Sequence, residues 1–573
     1  MNWDLSALYK NETLLEQDSN DVAQRAIGFE TVYKGKLKEV SSREFLEAIR
    51  EFEAINQVLG KMMTYAFLKF AQNSDNGAFY AKYQQKQTHI AEHLLFFELE
   101  FNKLPKVKQD EFMSLSSRYT YFLSSLAEEK PYQLSQKEER ILLKKEMTSA
   151  SAFSRLFDEH FSRLKFNFEG KKISEEEILS KLQDSSREVR KKAADVFTKG
   201  LKPHQPLLGY IFNMIKADLN SECELRGYKN AEQSRHMDNK ITQKSVDALV
   251  RSAEESFGLV HTYYKKKARL LGLETLYEYD RYAPLDESKT EYDFKSAKAI
   301  VLDAFYQFSP KFHEIAQRAF NEGWIDVLPK DKKRGGAFSH PATPDAHPYV
   351  LLNHTNTRRD LFTLAHELGH AIHQHLSSDV GYLGSDTPLT TSETASVFAE
   401  MLVFDYIKGT LSGAEKLSLY ASKIEDIFST LYRQINFTTF ERRVHSHEGE
   451  LSLEVFNEYW LQESTKMFGQ SITLSENYKL WWSYIPHFIH SPFYCYAYSY
   501  GQLLVLALYG LYKKSDKEDF VKNYICFLSA GGSQSPKALI EKFNFNIEDE
   551  EFWKLGITEV ESLLEEFQGM SDA

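Results

Sequence analysis

Only 26 Gly and 14 Pro interrupt 573 residues, and long segments between them place apolar side chains every three or four positions. That spacing lines up one face of an α-helix, whereas a half-buried strand needs strict alternation. Phe45, Ala48, Ile49, Phe52 and Ile55 form one such stripe, and Leu95, Phe96, Leu99 and Phe101 form a second. Ser174 with Glu177, and Ser185 with Glu188, have the Ser-x-x-Glu spacing of a capping box, in which side chain and backbone satisfy each other at a helix start. The expected fold class is therefore mostly α. Aromatic residues reach 14%, with 41 Phe and 32 Tyr, enough for a large helical core. A chain of this length exceeds what one core accommodates. The polar stretch 183–188, between two capped helices, suggests a division into an N-terminal helical region, 1–185, and a larger region, 186–573.

One segment breaks the helical pattern. Residues 323–353 hold four Pro and three Gly, with two short β-like runs at Ala337-Phe338-Ser339 and Tyr349-Val350-Leu351-Leu352. These read as strands joined by loops. The small sheet they form is either a structural hairpin or an edge that an extended peptide can join.

The formal net charge is −12 and the sequence pI about 5.9. A nucleic-acid binder shows the opposite balance. The basic runs Lys265-Lys266-Lys267 and Lys332-Lys333-Arg334 are expected to be solvated helix faces or loop tips. Three widely spaced cysteines, Cys223, Cys495 and Cys526, make neither a disulfide framework nor a metal motif and suit a reducing compartment. The first residues show no basic segment leading into an apolar one, and the longest apolar stretch, 503–511, is far short of the ~20 residues that span a bilayer. A cytoplasmic location, with no membrane or nucleic-acid partner and no obligate protein partner, is the expectation.

The chemistry concentrates at His366-Glu367-Leu368-Gly369-His370. Four residues on a helix amount to ~40° of rotation and ~6 Å of rise, so both imidazoles share a face and reach one tetrahedral cation. Glu367, between them, is placed to act on water at the metal rather than to bind it. Leu361, Leu364, Ala365, Leu368 and Ile372 supply the apolar stripe, and Asp360 can cap the start. Gly369 weakens the helix by ~1 kcal/mol against Ala, which points to close packing or to substrate access. Two histidines leave the site incomplete. A metzincin continues to Gly and His three and six residues after the second His, but His373 and Leu376 stand there, which excludes that class. A second helix opening at Thr391, with Thr391 or Ser392 as N-cap, carries Glu393, Val397, Glu400 and Phe404 on one face. Glu393 is the expected third ligand, giving a His₂Glu site with one open position for water. Glu400 is placed to hydrogen-bond a ligand imidazole. His373 lies one turn further along and is expected to pack or support, while His375 points away and is expected to be exposed.

These segments, Thr363-Leu-Ala-His-Glu-Leu-Gly-His-Ala-Ile-His and Thr391-Ser-Glu-Thr-Ala-Ser-Val-Phe-Ala-Glu, resemble the oligoendopeptidase F group of the thimet-oligopeptidase family of zinc metallopeptidases. The resemblance continues through Trp324-Ile-Asp-Val, Gly336-Ala-Phe, Tyr349-Val-Leu-Leu-Asn, Pro486-His-Phe, Phe493-Tyr-Cys-Tyr-Ala-Tyr and Gly531-Gly-Ser, covering roughly the C-terminal two-thirds. It implies a two-lobed, multi-helical body around a deep substrate channel, with the small β-sheet next to the active-site helix, the region 1–185 forming part of the channel wall and the region 186–573 being catalytic. It implies one Zn²⁺ per chain held by His366, His370 and Glu393, with Glu367 as general base toward zinc-activated water. It implies substrates that are short, unfolded peptides cut internally. The family also brings a His and a Tyr to the substrate carbonyl. In the segment 487–501, His487 and Tyr498 are the first choices, with Tyr494 behind them and His490 and Tyr500 close by. Two other readings stay open. A carboxypeptidase of the same superfamily requires a cation for the terminal carboxylate, for which Arg334, Arg358 and Arg359 are available. A non-catalytic peptide-binding protein has no use for the intact His-Glu-x-x-His and Glu393.

Overall fold

The computed structural model describes residues 2–285 and 290–570. It is 72% helical with two small sheets, so the mostly-α expectation holds. The chain forms two compact units, each drawn from three stretches: Met1–Pro131, Lys289–Gly409 and Tyr512–Asn544 in one, Tyr132–Ser288, Thr410–Leu511 and Phe545–Ala573 in the other. Neither coincides with the linear division at 185, because distant stretches share a core. Tyr349 and Leu351, for example, join the apolar cluster that begins with Trp3.

In the first unit the helix Ser42–Gln72 starts from a capping box of Ser41 and Glu44 and buries Phe45, Ala48, Ile49, Phe52 and Ile55, as their spacing requires. Phe45 stacks on Phe112 at 3.8 Å and Phe52 on Phe97 at 4.7 Å. The second expected stripe is corrected. The helix Phe96–Lys103 buries Phe96, Phe97 and Phe101, and leaves Leu95 and Leu99 61% and 41% exposed. Phe97 and Phe101, four apart, define the buried face.

The three-stranded sheet has Tyr349–Leu351 at its centre, parallel to Ile325–Asp326 and antiparallel to Phe338–His340. Both expected strands exist, the first shifted by one residue, and Ile325–Asp326 is an unanticipated third. Asp326 is fully buried there and is paired with Lys330 and Lys333. Lys333 is itself fully buried and also donates to the carbonyls of Leu328 and Leu352. Lys333 is therefore part of a buried charge cluster, while Lys332 and Arg334 are exposed as expected.

The second unit corrects the other run in the same way. Lys266 donates to the last carbonyls of the helix Glu550–Gly569, and Lys267, wholly buried, to the Arg281 carbonyl and to Glu425. A buried ammonium survives only when its three protons are taken, and carbonyls at a helix C-terminus suit a cation. Two further corrections are local. Phe166–Phe168 and Lys171–Ile173 form a hairpin where helix was expected, turning at Glu169 and Gly170, both with positive φ. The box at Ser174 and Glu177 forms, but Ser185 and Glu188 make none, because the next helix starts later, at Arg187, and Asp184 takes the Ser186 N–H. The core of this unit is aromatic: Phe456 stacks on Trp482 at 4.5 Å and Phe212 on Phe488 at 5.6 Å. Among the described residues no helix is long and apolar enough to cross a membrane; the run 503–511 lies in the helix Tyr496–Lys514.

Candidate metal centre

The site is built on two helices of the first unit. The helix Arg358–Leu376 begins with Thr357 as N-cap, and Asp360 completes a capping box from its third position rather than capping the start itself. One Asp360 oxygen accepts from the backbone and hydroxyl of both Thr355 and Thr357, at 2.8–3.0 Å. Leu361, Leu364, Ala365, Leu368 and Ile372 are buried, which fixes the rotation of the helix. The return helix is Thr394–Lys408. Glu393 is not within it, as expected, but is its N-cap residue, after the short helix Leu389–Ser392.

The two helices touch at Gly369. A Cβ built there lies 2.5 Å from the Ala395 carbonyl oxygen and 2.6 Å from the Ser396 Cα. Both obstacles are backbone, so Gly is required for packing. Gly369→Ala is expected to lower unfolding free energy in urea by at least about 1–3 kcal/mol and to weaken metal binding with it, since the crossing sets the position of Glu393.

The crossing brings together the three expected ligands. His366 Nε2 and His370 Nε2 are 3.2 Å apart, and Glu393 Oε2 is 3.4 Å from each. A tetrahedral zinc with bonds of about 2.0–2.1 Å sets its ligand atoms about 3.3–3.4 Å apart. The donor set and its spacing therefore fit a zinc-type ion. Ser396 donates its hydroxyl to Glu393 Oε2 at 2.7 Å. His366 Nδ1 lies 2.7 Å from Glu400 Oε1, as expected, which favours a proton on Nδ1 and turns Nε2 toward Glu393. Glu400→Gln is expected to weaken zinc affinity about 10–100-fold, read by competition with a chelating dye.

The electrostatics are those of a cation site. Burial pulls His366 down, but the Glu400 hydrogen bond and the charges of Glu400, Glu393 and Glu367 outweigh it and raise its pKa to about 9. Burial pushes Glu393 up, but the His370 hydrogen bond and the charges of both histidines hold it at about 2. Glu367 is buried, and that burial raises its carboxyl above the ordinary range. His373, fully enclosed, is driven down to about 3 by burial and hydrogen-bonds the backbone of Ser392, next to Glu393. His375 is half-buried against Trp324 and Arg318 rather than exposed.

The second unit holds the expected His and Tyr cluster. Phe488, packed on Phe212 and Phe440, anchors the segment. His487 Nε2 is 3.3 Å from the Tyr498 hydroxyl, and the Tyr494 ring meets the Tyr498 ring edge-on at 5.1 Å. Tyr498 is 36% exposed. Tyr500 is corrected: it is wholly buried against Trp553 and offers no surface to a substrate. His490 is turned to Asp158 at 2.8 Å. The turn into this cluster is held in place, with Phe493 at φ 59° and its N–H donating to Glu441 at 3.0 Å.

Residues 180–558 match the profile of peptidase family M3, and residues 100–166 match that of Oligopeptidase F. The chain belongs to peptidase family M3. Family M3 peptidases are metallopeptidases. Oligopeptidase PepF of Bacillus subtilis is 29% identical over 532 residues, 89% of this chain and 78% of that one. An oligoendopeptidase F homologue of Lactococcus lactis is 25% identical, over 99% and 97%. A solved structure from Chlamydophila abortus superposes with TM-score 0.90 at 23% identity, covering 99% of this chain and 97% of that one. Oligoendopeptidase-F from Enterococcus faecium superposes with TM-score 0.72 at 20% identity, covering 97% and 98%. These likenesses carry the fold.

This M3 peptidase also has a feature that motif reading missed. A cavity of about 790 Å³ within the first unit opens onto His370 and His373. Met63, Phe67, Tyr80, Tyr382 and Asp386 line it. The one available signal was Gly60, isolated inside the helix Ser42–Gln72: a Cβ there runs into the Tyr382 ring.

Proposed function

We propose that this chain is a zinc-dependent oligoendopeptidase that hydrolyses internal bonds of short, unfolded peptides. The observation that carries the reading is the convergence of His366 Nε2, His370 Nε2 and Glu393 Oε2 at tetrahedral spacing, with Glu367 adjacent and unused as a ligand. The endopeptidase part follows the printed names of relatives such as the Lactococcus lactis oligoendopeptidase F homologue.

His366, His370 and Glu393 hold one zinc, which when bound supplies a Lewis acid that acidifies water and draws charge from the scissile carbonyl. Glu367 accepts the proton of the attacking water at a carboxylate oxygen and returns it to the leaving nitrogen. Its burial keeps that carboxyl basic enough for the task. Glu400 holds His366 in the tautomer that presents Nε2. His487 and Tyr498 are assigned, by resemblance, as donors to the carbonyl oxygen, where a developing negative charge rewards a fixed donor. The enzyme works on free peptides in the cytoplasm, with no nucleic acid, membrane or obligate partner.

The test is product mapping by mass spectrometry on a peptide blocked at both ends. Internal cleavage is expected. Failure to cut the blocked peptide, with release of C-terminal residues from the free one, replaces the endopeptidase reading with the carboxypeptidase one.

A further inference from the structure

The cavity beside His370 has a composition that selects a ligand. Among the described residues its lining holds one carboxylate, Asp386, no Lys and no Arg. Of its histidines, His340 contributes no fixed positive charge, since burial drives it down to about 4. His340 Nδ1 accepts the Ala342 N–H at 3.0 Å, which is the bond of a neutral ring. Asp386 is exposed at the rim of the cavity, and its side chain makes no ion pair among the described residues. Its environment raises the carboxyl by burial alone, and a cation placed beside it offsets that burial.

The rest of the wall combines neutral polar side chains, among them Thr64, Gln87 and Gln374, with an apolar and aromatic part made by Met63, Phe67, Tyr80 and Tyr382. The Phe67 and Tyr80 rings pack 6.0 Å apart, and Tyr382, whose hydroxyl feels the Asp386 charge, closes another side. Both ends of this arrangement are held by glycines. Gly60 admits the Tyr382 ring, and at Gly532 a Cβ runs into the Asp386 carbonyl while its N–H donates to Gly384 at 2.8 Å. A ligand with a long aliphatic stem and a cationic tip matches both parts, because the stem of Lys or Arg covers apolar surface while its head seeks a carboxylate.

We propose that this cavity is the specificity pocket for a basic substrate side chain, with Met63, Phe67, Tyr80 and Tyr382 covering the stem of Lys or Arg and Asp386 receiving its charge. The assignment rests on the peptidase reading above and adds the substrate class.

The test is a series of internally quenched peptides, blocked at both ends so that no α-amino group supplies the cation. Lys, Arg, norleucine or Glu is placed in turn at each position flanking the cut. At one position the wild type is expected to favour Lys and Arg over norleucine by about 10-fold or more in kcat/KM, with Glu poorest. Asp386→Asn is expected to bring the Lys-to-norleucine ratio toward one, and Asp386→Glu to retain the preference. Equal rates for Lys and norleucine in the wild type overturn the pocket assignment and leave the peptidase reading standing, and so does an unchanged ratio in Asp386→Asn. A wild type that cuts no member of the series overturns both. Because the wild-type series decides by itself, a variant that fails to fold does not shelter the proposal.

Discussion

Glu367→Gln is expected to lower kcat by about 10²–10⁴-fold while zinc content stays at the wild-type level. Gln is nearly isosteric with Glu, so the helix Arg358–Leu376 and its buried stripe are undisturbed. It cannot accept a proton from water at neutral pH, so the step assigned to Glu367 has no agent. None of the three spaced ligand atoms belongs to Glu367, and metal retention follows from that. The informative measurement pairs single-turnover kinetics with elemental analysis on the same sample. Full zinc with near-wild-type turnover removes Glu367 from the mechanism.

His370→Ala is expected to act through metal content instead. Its Nε2 sits 3.2 Å from His366 and 3.4 Å from Glu393, and its loss leaves a two-ligand site. A metal at such a site supplies several kcal/mol of transition-state stabilisation, so activity is expected to fall about 10³-fold or more as zinc is lost. Glu393→Ala is expected to match it. Unfolding midpoints separate metal loss from collapse: the helix Thr394–Lys408 keeps its buried face in both variants.

The central chemistry was legible because it depends on local periodicity. His366 and His370 share a face for the same reason that Leu364 and Leu368 do, and Glu400, seven residues after Glu393, returns to the same side. What local reading could not supply was the tertiary detail. The N-cap position of Glu393 arises from a short preceding helix whose end no propensity marks. The burial of Lys266 and Lys267 is imposed by partners far away in the chain, the carbonyls of the last helix and Glu425, and that of the Lys333 ammonium by the fold of the loop around Asp326, so these members of runs that look solvated are not. Among the crowded tyrosines the face was ambiguous: Tyr494 and Tyr498 lie four apart, Tyr496 and Tyr500 likewise, and only packing of Tyr500 on Trp553 and of Tyr496 on His236 shows which pair turns inward. The cavity at Asp386 draws its walls from residues three hundred positions apart, beyond any motif.

The account rests on a metal bound by His366, His370 and Glu393 being required for cleavage within peptides. It is tested most directly by following an internally quenched, end-blocked peptide while zinc is measured in the same protein. The account predicts about one zinc per chain, loss of cleavage on removal by a chelator, and recovery in proportion to zinc restored. Cleavage at an undiminished rate by protein stripped of all metal contradicts it.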